Sequence, residues 1–301
     1  MNSYPLALGL LVLGNLAASL SDVAVKLLDG QVAPFQYILL RQLLSLLVLV
    51  PLWWRQPAVQ RQLYQPGITI IRAHLVLFGS ACTLVALSYL PLASANALFY
   101  AAPLLMLPLS VFLLGERPGK TKTAATMLGF IGVVIVLRPS QFHWAAWFGL
   151  GTALTVALFN ILARKLPLQQ TVLTTLMWTC LFSLPLAIVL AAWQWQPLQA
   201  QEIGWIAVSA LLILLYNALA VAAYRQAPAS QIAVAEYSGL IFVALFGLYW
   251  FNEQPDQLTW LGIGMIILPL APKVAQRQVK RIASYLLRPN PPSDKRKNIT
   301  D

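Results

Sequence analysis

Residues 91–116, PLASANALFYAAPLLMLPLSVFLLGE, return without a gap as residues 228–253, PASQIAVAEYSGLIFVALFGLYWFNE. At a constant offset of 137 residues, Pro91 falls on Pro228, Tyr100 on Tyr237, Glu116 on Glu253 and Pro118 on Pro255. Each copy opens on a proline, runs apolar for about 22 residues, and closes on an acid followed two residues later by a proline. A run of that length matches the ~20 apolar residues needed to cross a hydrocarbon core of ~30 Å. Two copies in one chain point to a duplicated membrane unit.

Composition agrees. Hydrophobic residues make up 59% of the 301 and charged residues 10%, whereas a soluble domain carries about 25% charge to face water. The chain reads as a polytopic membrane protein. Its first residues lack the positive n-region and clear cleavage site of a signal peptide and are taken as the first span. Cys82 and Cys180 lie deep in apolar runs, where they read as small hydrophobes; neither a disulfide framework nor a metal site is indicated.

The net charge of +11 could suggest nucleic acid. Eight of the twenty Lys and Arg residues, however, crowd into the last 29 positions. They form a juxtamembrane basic tail suited to anionic lipid headgroups, not a nucleic-acid surface.

Ten spans are predicted, at 4–25, 34–54, 71–90, 93–114, 123–138, 145–163, 170–192, 203–224, 229–251 and 257–273. Nine of the ten tryptophans fall near span ends, as an interfacial belt requires; Trp178 is the exception. Ten spans place both termini on one side, and the basic tail makes that side cytoplasmic. Loops on that side carry Arg55, Arg61, Arg72, Arg117, Lys120, Lys122, Arg164, Lys165 and Arg225; the opposite loops carry Lys26 and Arg138. Nine against two is a positive-inside bias.

Because five is odd, the second five spans must lie inverted relative to the first, and matching loops should exchange charge. Arg117, Lys120 and Lys122 follow Glu116, whereas Asp256 and no Lys or Arg follow Glu253. The fold class expected is therefore an all-α membrane protein of ten transmembrane helices in two inverted five-helix repeats. Residues 1–140 form the first repeat, 141–275 the second and 276–301 the tail. At an offset of 138, Asp22 and Lys26 fall on Asn160 and Arg164, so the halves share this pattern only in part.

Ionisable groups within spans cost at least ~2.5–3.5 kcal/mol at the bilayer centre and need a reason. Asn15, Ser19, Asp22 and Lys26 share one helical face of the first span. Arg41 lies at a similar level in the second. Asp22 pairs with Arg41 or with Lys26 as a structural lock, or these groups exchange with a charged substrate; Lys26 alternatively snorkels outwards. Glu236, about 12 Å into its span at 1.5 Å per residue, is the most isolated carboxylate. It is paired across the bundle, held protonated, or used to bind a proton or cation. Its counterpart in the first copy is Phe99, and Tyr100 and Tyr237 follow in each.

Asn96, Tyr100 and Pro103 share a face, and Pro103 removes a helix donor that leaves backbone open to a cavity, or is a tolerated irregularity. Asn160, Trp178 and Asn217 complete the cavity candidates. The expected substrate-binding set is thus Asn96, Phe99, Tyr100, Asn160, Trp178, Asn217, Glu236 and Tyr237, and the cavity between the inverted halves is expected to be lined mainly by the polar faces of spans 1, 3, 4, 6, 8 and 9. Asp22, Lys26, Arg41 and Glu236 serve coupling or gating. The chain carries no metal-ligand spacing, nucleophile elbow or phosphate-binding Gly-rich loop. No cofactor is expected, no enzymatic reaction is indicated, and energy must come from a gradient or from exchange.

Several stretches resemble the drug/metabolite transporter superfamily, specifically a ten-span member with two EamA repeats. They are SDVAVK (21–26), PFQYILLR (34–41), LPLASANALFYAAPLL (90–105), LLGE (113–116), GFIGVVIVLRP (129–139), APAS (227–230) and AEYSG (235–239). The sequence departs at Asn252, where a glycine is usual, and at Val234, where a proline often stands. The resemblance implies uptake or export of a small metabolite: an amino acid, a nucleotide-like compound or a vitamin. Lipid-like amphiphiles or drugs are the alternative cargo. A bacterial inner-membrane location follows, with protons as a possible second partner; a monomer suffices for such a unit, and a dimer is compatible with it.

Overall fold

The computed structural model describes residues 3–115, 120–137, 143–163, 165–167, 169–226 and 238–270. Among them the secondary structure is helical: α1 (Ser3–Lys26), α2 (Pro34–Trp54), a 3-10 turn (Ala58–Arg61), α3 (Pro66–Tyr89), α4 (Leu92–Phe99), α5 (Ala102–Leu114), α6 (Lys120–Leu137), α7 (Ala146–Ala163), α8 (Val172–Trp193), α9 (Ala200–Gln226), α10 (Ser238–Phe251) and α11 (Gln257–Leu270). Six stretches are long and apolar enough to cross a membrane, and four shorter apolar helices bring the number to ten.

Helix starts follow local chemistry. Prolines open α2 and α3, where the missing N–H costs nothing. Thr171 caps α8 by accepting from the Thr174 N–H at 3.1 Å, and Asp256 caps α11 by accepting from the Thr259 N–H at 3.1 Å. Past α10, Asn252 takes φ +50°, matching φ +66° at Gly115, its partner in the first copy. Asparagine is among the few side chains that tolerate this left-handed conformation, so the departure from glycine leaves the helix end intact.

Two spans differ from expectation. The third begins at Pro66, not at 71, so Arg72, at the edge of the expected span and counted above with the loop, lies well within the helix. There it is buried, with its guanidinium 3.9 Å from the centroid of the Phe159 ring. A planar cation stacked on an aromatic face tolerates such a place. Lys120, Lys122 and Arg225 likewise fall within α6 and α9 and Lys26 within α1, while Arg117, Arg138 and Arg164 lie outside the described residues. The fourth span is two helices. Pro103 has no N–H for the Phe99 carbonyl; the Ala101 N–H reaches the Leu98 carbonyl (3.0 Å), and α5 starts afresh as Leu104 and Leu105 donate to the Ala101 carbonyl.

Packing between the halves has the symmetry of a two-fold exchange. Span 1 packs on span 8 (α1 on α9), and its exchange partner, span 3 on span 6 (α3 on α7), is also present. Span 3 on span 7 is matched by span 8 on span 2, and span 1 on span 9 by span 6 on span 4. Spans 2 and 7, 4 and 9, and 5 and 10 pack directly on their own equivalents. The ends of α1, α3 and α10 and the start of α4 meet at one face of the bundle. The end of span 4 must then lie at the opposite face from its equivalent, the end of span 9, so the repeats are inverted.

A close crossing joins α6 to α11. A Cβ at Gly132 would lie 2.7 Å from the Gly262 carbonyl oxygen, and a Cβ at Gly262 would lie 2.8 Å from that of Gly132. Glycine on both sides lets two backbones touch, as membrane bundles favour. Large side chains such as Phe112 and Tyr249 point outwards to lipid, and Trp54, Trp147 and Trp193 are exposed near helix ends.

Candidate functional site

The polar face of α1 is divided among three partners. Asn15 Nδ2 donates to Ser238 Oγ at 3.4 Å, and Ser19 Oγ donates to the Gly239 carbonyl at 3.3 Å, so the middle of α1 meets the start of α10. Asp22 is hydrogen-bonded to Asn96 on α4. Lys26 pairs with Glu253 at 2.9 Å. Neither pairing expected for Asp22 is present: among the described residues it forms no ion pair with Lys26 or Arg41. Sequence spacing offered only near neighbours, whereas folding delivers a carboxylate from the far end of the other repeat.

Lys26 and Glu253 form a knot at this face. Lys26 Nζ also donates to the carbonyls of Leu87 (3.2 Å) and Leu90 (2.6 Å), at the end of α3. Glu253 Oε2 accepts from the Leu92 N–H at 2.6 Å, at the start of α4. Cation and anion each satisfy the helix terminus of opposite polarity. The Phe251 ring centroid lies 5.3 Å from Lys26 Nζ. Lys26 therefore does not snorkel into water; it fastens α1, α3 and α4 to the end of α10.

Polar side chains gather differently in the body of the bundle. A cavity of about 390 Å³ is lined by α2, α3, α7, α8 and α9. Arg41, Asn160 and Asn217, from the expected set, face it together. Arg41 Nη2 donates to Ser80 Oγ at 2.5 Å, and its guanidinium carbon lies 5.6 Å from the centroid of the Tyr37 ring. A second, larger cavity of about 830 Å³ shares Leu49, Leu176, Leu214 and Asn217 with the first. It extends to Gln56, Gln60 and Thr171, at the bundle face opposite Lys26.

Other expected residues lie elsewhere. Asn96 is buried and donates to the Leu92 carbonyl at 3.2 Å. Phe99 packs against the hydrophobic core. Tyr100 turns its hydroxyl to Gly239, where an added Cβ would come within 2.5 Å of that oxygen. None of the three lines the 390 Å³ cavity, which among the described residues takes spans 2 and 7 in place of spans 1, 4 and 9. Trp178 sits edge-on to Trp53, with ring centroids 6.4 Å apart, and is not among the cavity's lining residues. Glu236 and Tyr237 lie outside the described residues.

Some lining groups were not singled out from sequence. Ser80 and Thr83 on α3, and Thr152 and Thr155 on α7, supply hydroxyls to the cavity wall. Each pair is three residues apart, so small polar residues at helical spacing inside apolar spans were the available signal. Glu253 was noticed only as the acid that closes the repeat.

An inverted-repeat helical bundle with a polar cavity between its halves is a transporter architecture. The EamA-like transporter family model matches residues 5–138 and 143–271, and the chain belongs to that family. It is 26% identical over 89% of its length to the S-adenosylmethionine uptake transporter of Rickettsia bellii, covering 93% of that protein. The riboflavin transporter of Vibrio cholerae is 29% identical over 69% of this chain and 71% of its own. The pseudopaline exporter of Pseudomonas aeruginosa is 23% identical over 86% and 92%. A solved crystal structure at 18% identity superposes with a TM-score of 0.57 over 92% of this chain and 97% of its own, showing the same fold. The protein is a membrane transporter for small molecules and not an enzyme.

Proposed function

We propose that the protein moves a small organic metabolite by alternating access, driven by a proton gradient or by exchange. The observation that carries this reading is the asymmetry between the two faces. Ionic and backbone hydrogen bonds fasten the bundle at Lys26 and Glu253. Towards Gln56 and Thr171, adjoining cavities widen from about 390 to about 830 Å³. Such a molecule is shut on one side and accessible from the other. The repeats 1–140 and 141–275 are the two bodies that rock around the cavity. The positive-inside bias makes the open face cytoplasmic, with both termini on that side of a bacterial inner membrane.

Amino-acid-like, nucleoside-like and vitamin-like compounds fit the kinds of cargo named for the relatives. The test is an untargeted comparison of metabolites in cells with and without the protein. A reproducible set of retained or depleted small molecules is the expected result; identical profiles would sink the reading. In this scheme Glu236 binds the proton or a cationic group. Glu236→Gln is expected to slow transport and flatten its dependence on pH in proteoliposomes, and unchanged rate and pH profile would remove that role.

One observation favours amphiphiles as an alternative cargo. Val48, Leu52, Leu211 and Leu215 line the larger cavity and are exposed, which gives it an apolar wall. Accumulation of a water-soluble metabolite in proteoliposomes would exclude amphiphile transport as the sole activity.

A further inference from the structure

We propose that Arg41 is the subsite for an acidic group, a carboxylate or a phosphate, on the transported metabolite; this rests on the transport reading above. Arg41 is the charged side chain among the described residues that line the 390 Å³ cavity. Its guanidinium has five N–H donors. The side-chain hydrogen bond it makes goes to Ser80, and the Tyr37 ring lies beside it. Among the described residues, no carboxylate stands within ion-pair distance of it.

Two other cations within the spans, Lys26 and Arg72, contrast with it. Lys26 has Glu253, and Arg72 rests on Phe159. Arg41 alone of these three faces a cavity with a full charge and no counter-charge, a costly state inside a membrane. An acidic group entering the cavity supplies that counter-charge, and the guanidinium fork matches carboxylate and phosphate oxygens. Ser80 and Asn160 border the same space and offer donors for oxygens that Arg41 leaves free, whereas the Thr83 and Thr152 hydroxyls already donate to the Gly79 and Phe148 carbonyls. A cation lacking an acid would instead meet uncompensated repulsion there.

The test adds Arg41→Gln and Arg41→Lys to the comparison of cellular metabolites, with the host's own soluble metabolite pool as the probe. Each variant's membrane content and thermal unfolding are measured alongside. Metabolites that depend on the unaltered protein are expected to bear a carboxylate or phosphate, and their masses tell the two apart. Arg41→Gln should lower their transport roughly thirty-fold or more, as losing a buried charged partner does. Arg41→Lys, which keeps the charge without the fork, should recover part of it. If the dependent metabolites carry no acidic group, or if folded Arg41→Gln transports them normally, the subsite is overturned while transport stands. If no metabolite depends on the protein, transport itself fails, and the subsite with it. Should Arg41→Gln not fold, the acidity of the metabolites handled by the unaltered protein still decides for or against it.

Discussion

Lys26→Met is expected to cut transport at least roughly ten-fold while the folded protein remains in the membrane. The substitution keeps the length of the side chain and removes its charge. Glu253 would then retain the Leu92 N–H but lose its cation, and the Leu87 and Leu90 carbonyls would lose their shared donor. Both side chains of the pair are largely buried, at 11% and 19% exposure. Removing one partner from such a pair costs about 3–5 kcal/mol, against the ~1.4 kcal/mol that changes an equilibrium ten-fold. If the pair exists only while this face is shut, that cost falls on the shut state alone and shifts the population towards opening there. Lys26→Met/Glu253→Gln is expected to be less impaired than Lys26→Met, because it leaves no uncompensated carboxylate. Transport assayed in proteoliposomes checks both; equal impairment would show that the pair contributes no coupling.

Gly132→Leu is expected to destabilise the bundle by on the order of 3 kcal/mol, at the upper end of overpacking costs. The new Cβ would meet the Gly262 carbonyl at 2.7 Å and Met265 Cβ at 2.8 Å before the rest of the side chain is placed. Backbone cannot swing aside as a long side chain can, so α6 and α11 must separate. Gly264→Leu is the control on the same pair of helices, since nothing lies within 4 Å of its added Cβ. That change should be neutral or gain up to about 1 kcal/mol from helix propensity. Thermal unfolding of the purified variants measures the difference, and equal melting temperatures would refute the crossing.

The span count could be read in the sequence because lipid leaves a chain little choice: each crossing demands a long apolar run, and loops must carry the charge. Asn15, Ser19, Asp22 and Lys26 were legible as one helical face for the same reason that any helix has faces. Their partners were not. Glu253 lies 227 positions from Lys26, and no local spacing links them. The same holds for Arg72, whose ring partner Phe159 comes from the other repeat. Pro103 signalled an irregularity, but whether a proline bends or breaks a helix depends on which neighbouring groups take up the freed carbonyl. Arg41 was legible as a costly charge; its lack of a carboxylate partner among the described residues became visible only once α2, α3 and α8 were assembled around it.

Alternating access around the Arg41 cavity is tested most directly by labelling one cysteine from each side of the membrane. Cys82 and Cys180 are first replaced by alanine, and Asn217→Cys, where the two cavities adjoin, is then introduced. An impermeant thiol reagent should modify this cysteine from the face bearing Gln56 and Thr171, and hardly at all from the face bearing Lys26. Adding Lys26→Met should raise modification from the Lys26 face. Equal labelling from both faces before that change, or labelling from the Lys26 face alone, would contradict a transporter held shut by Lys26 and Glu253.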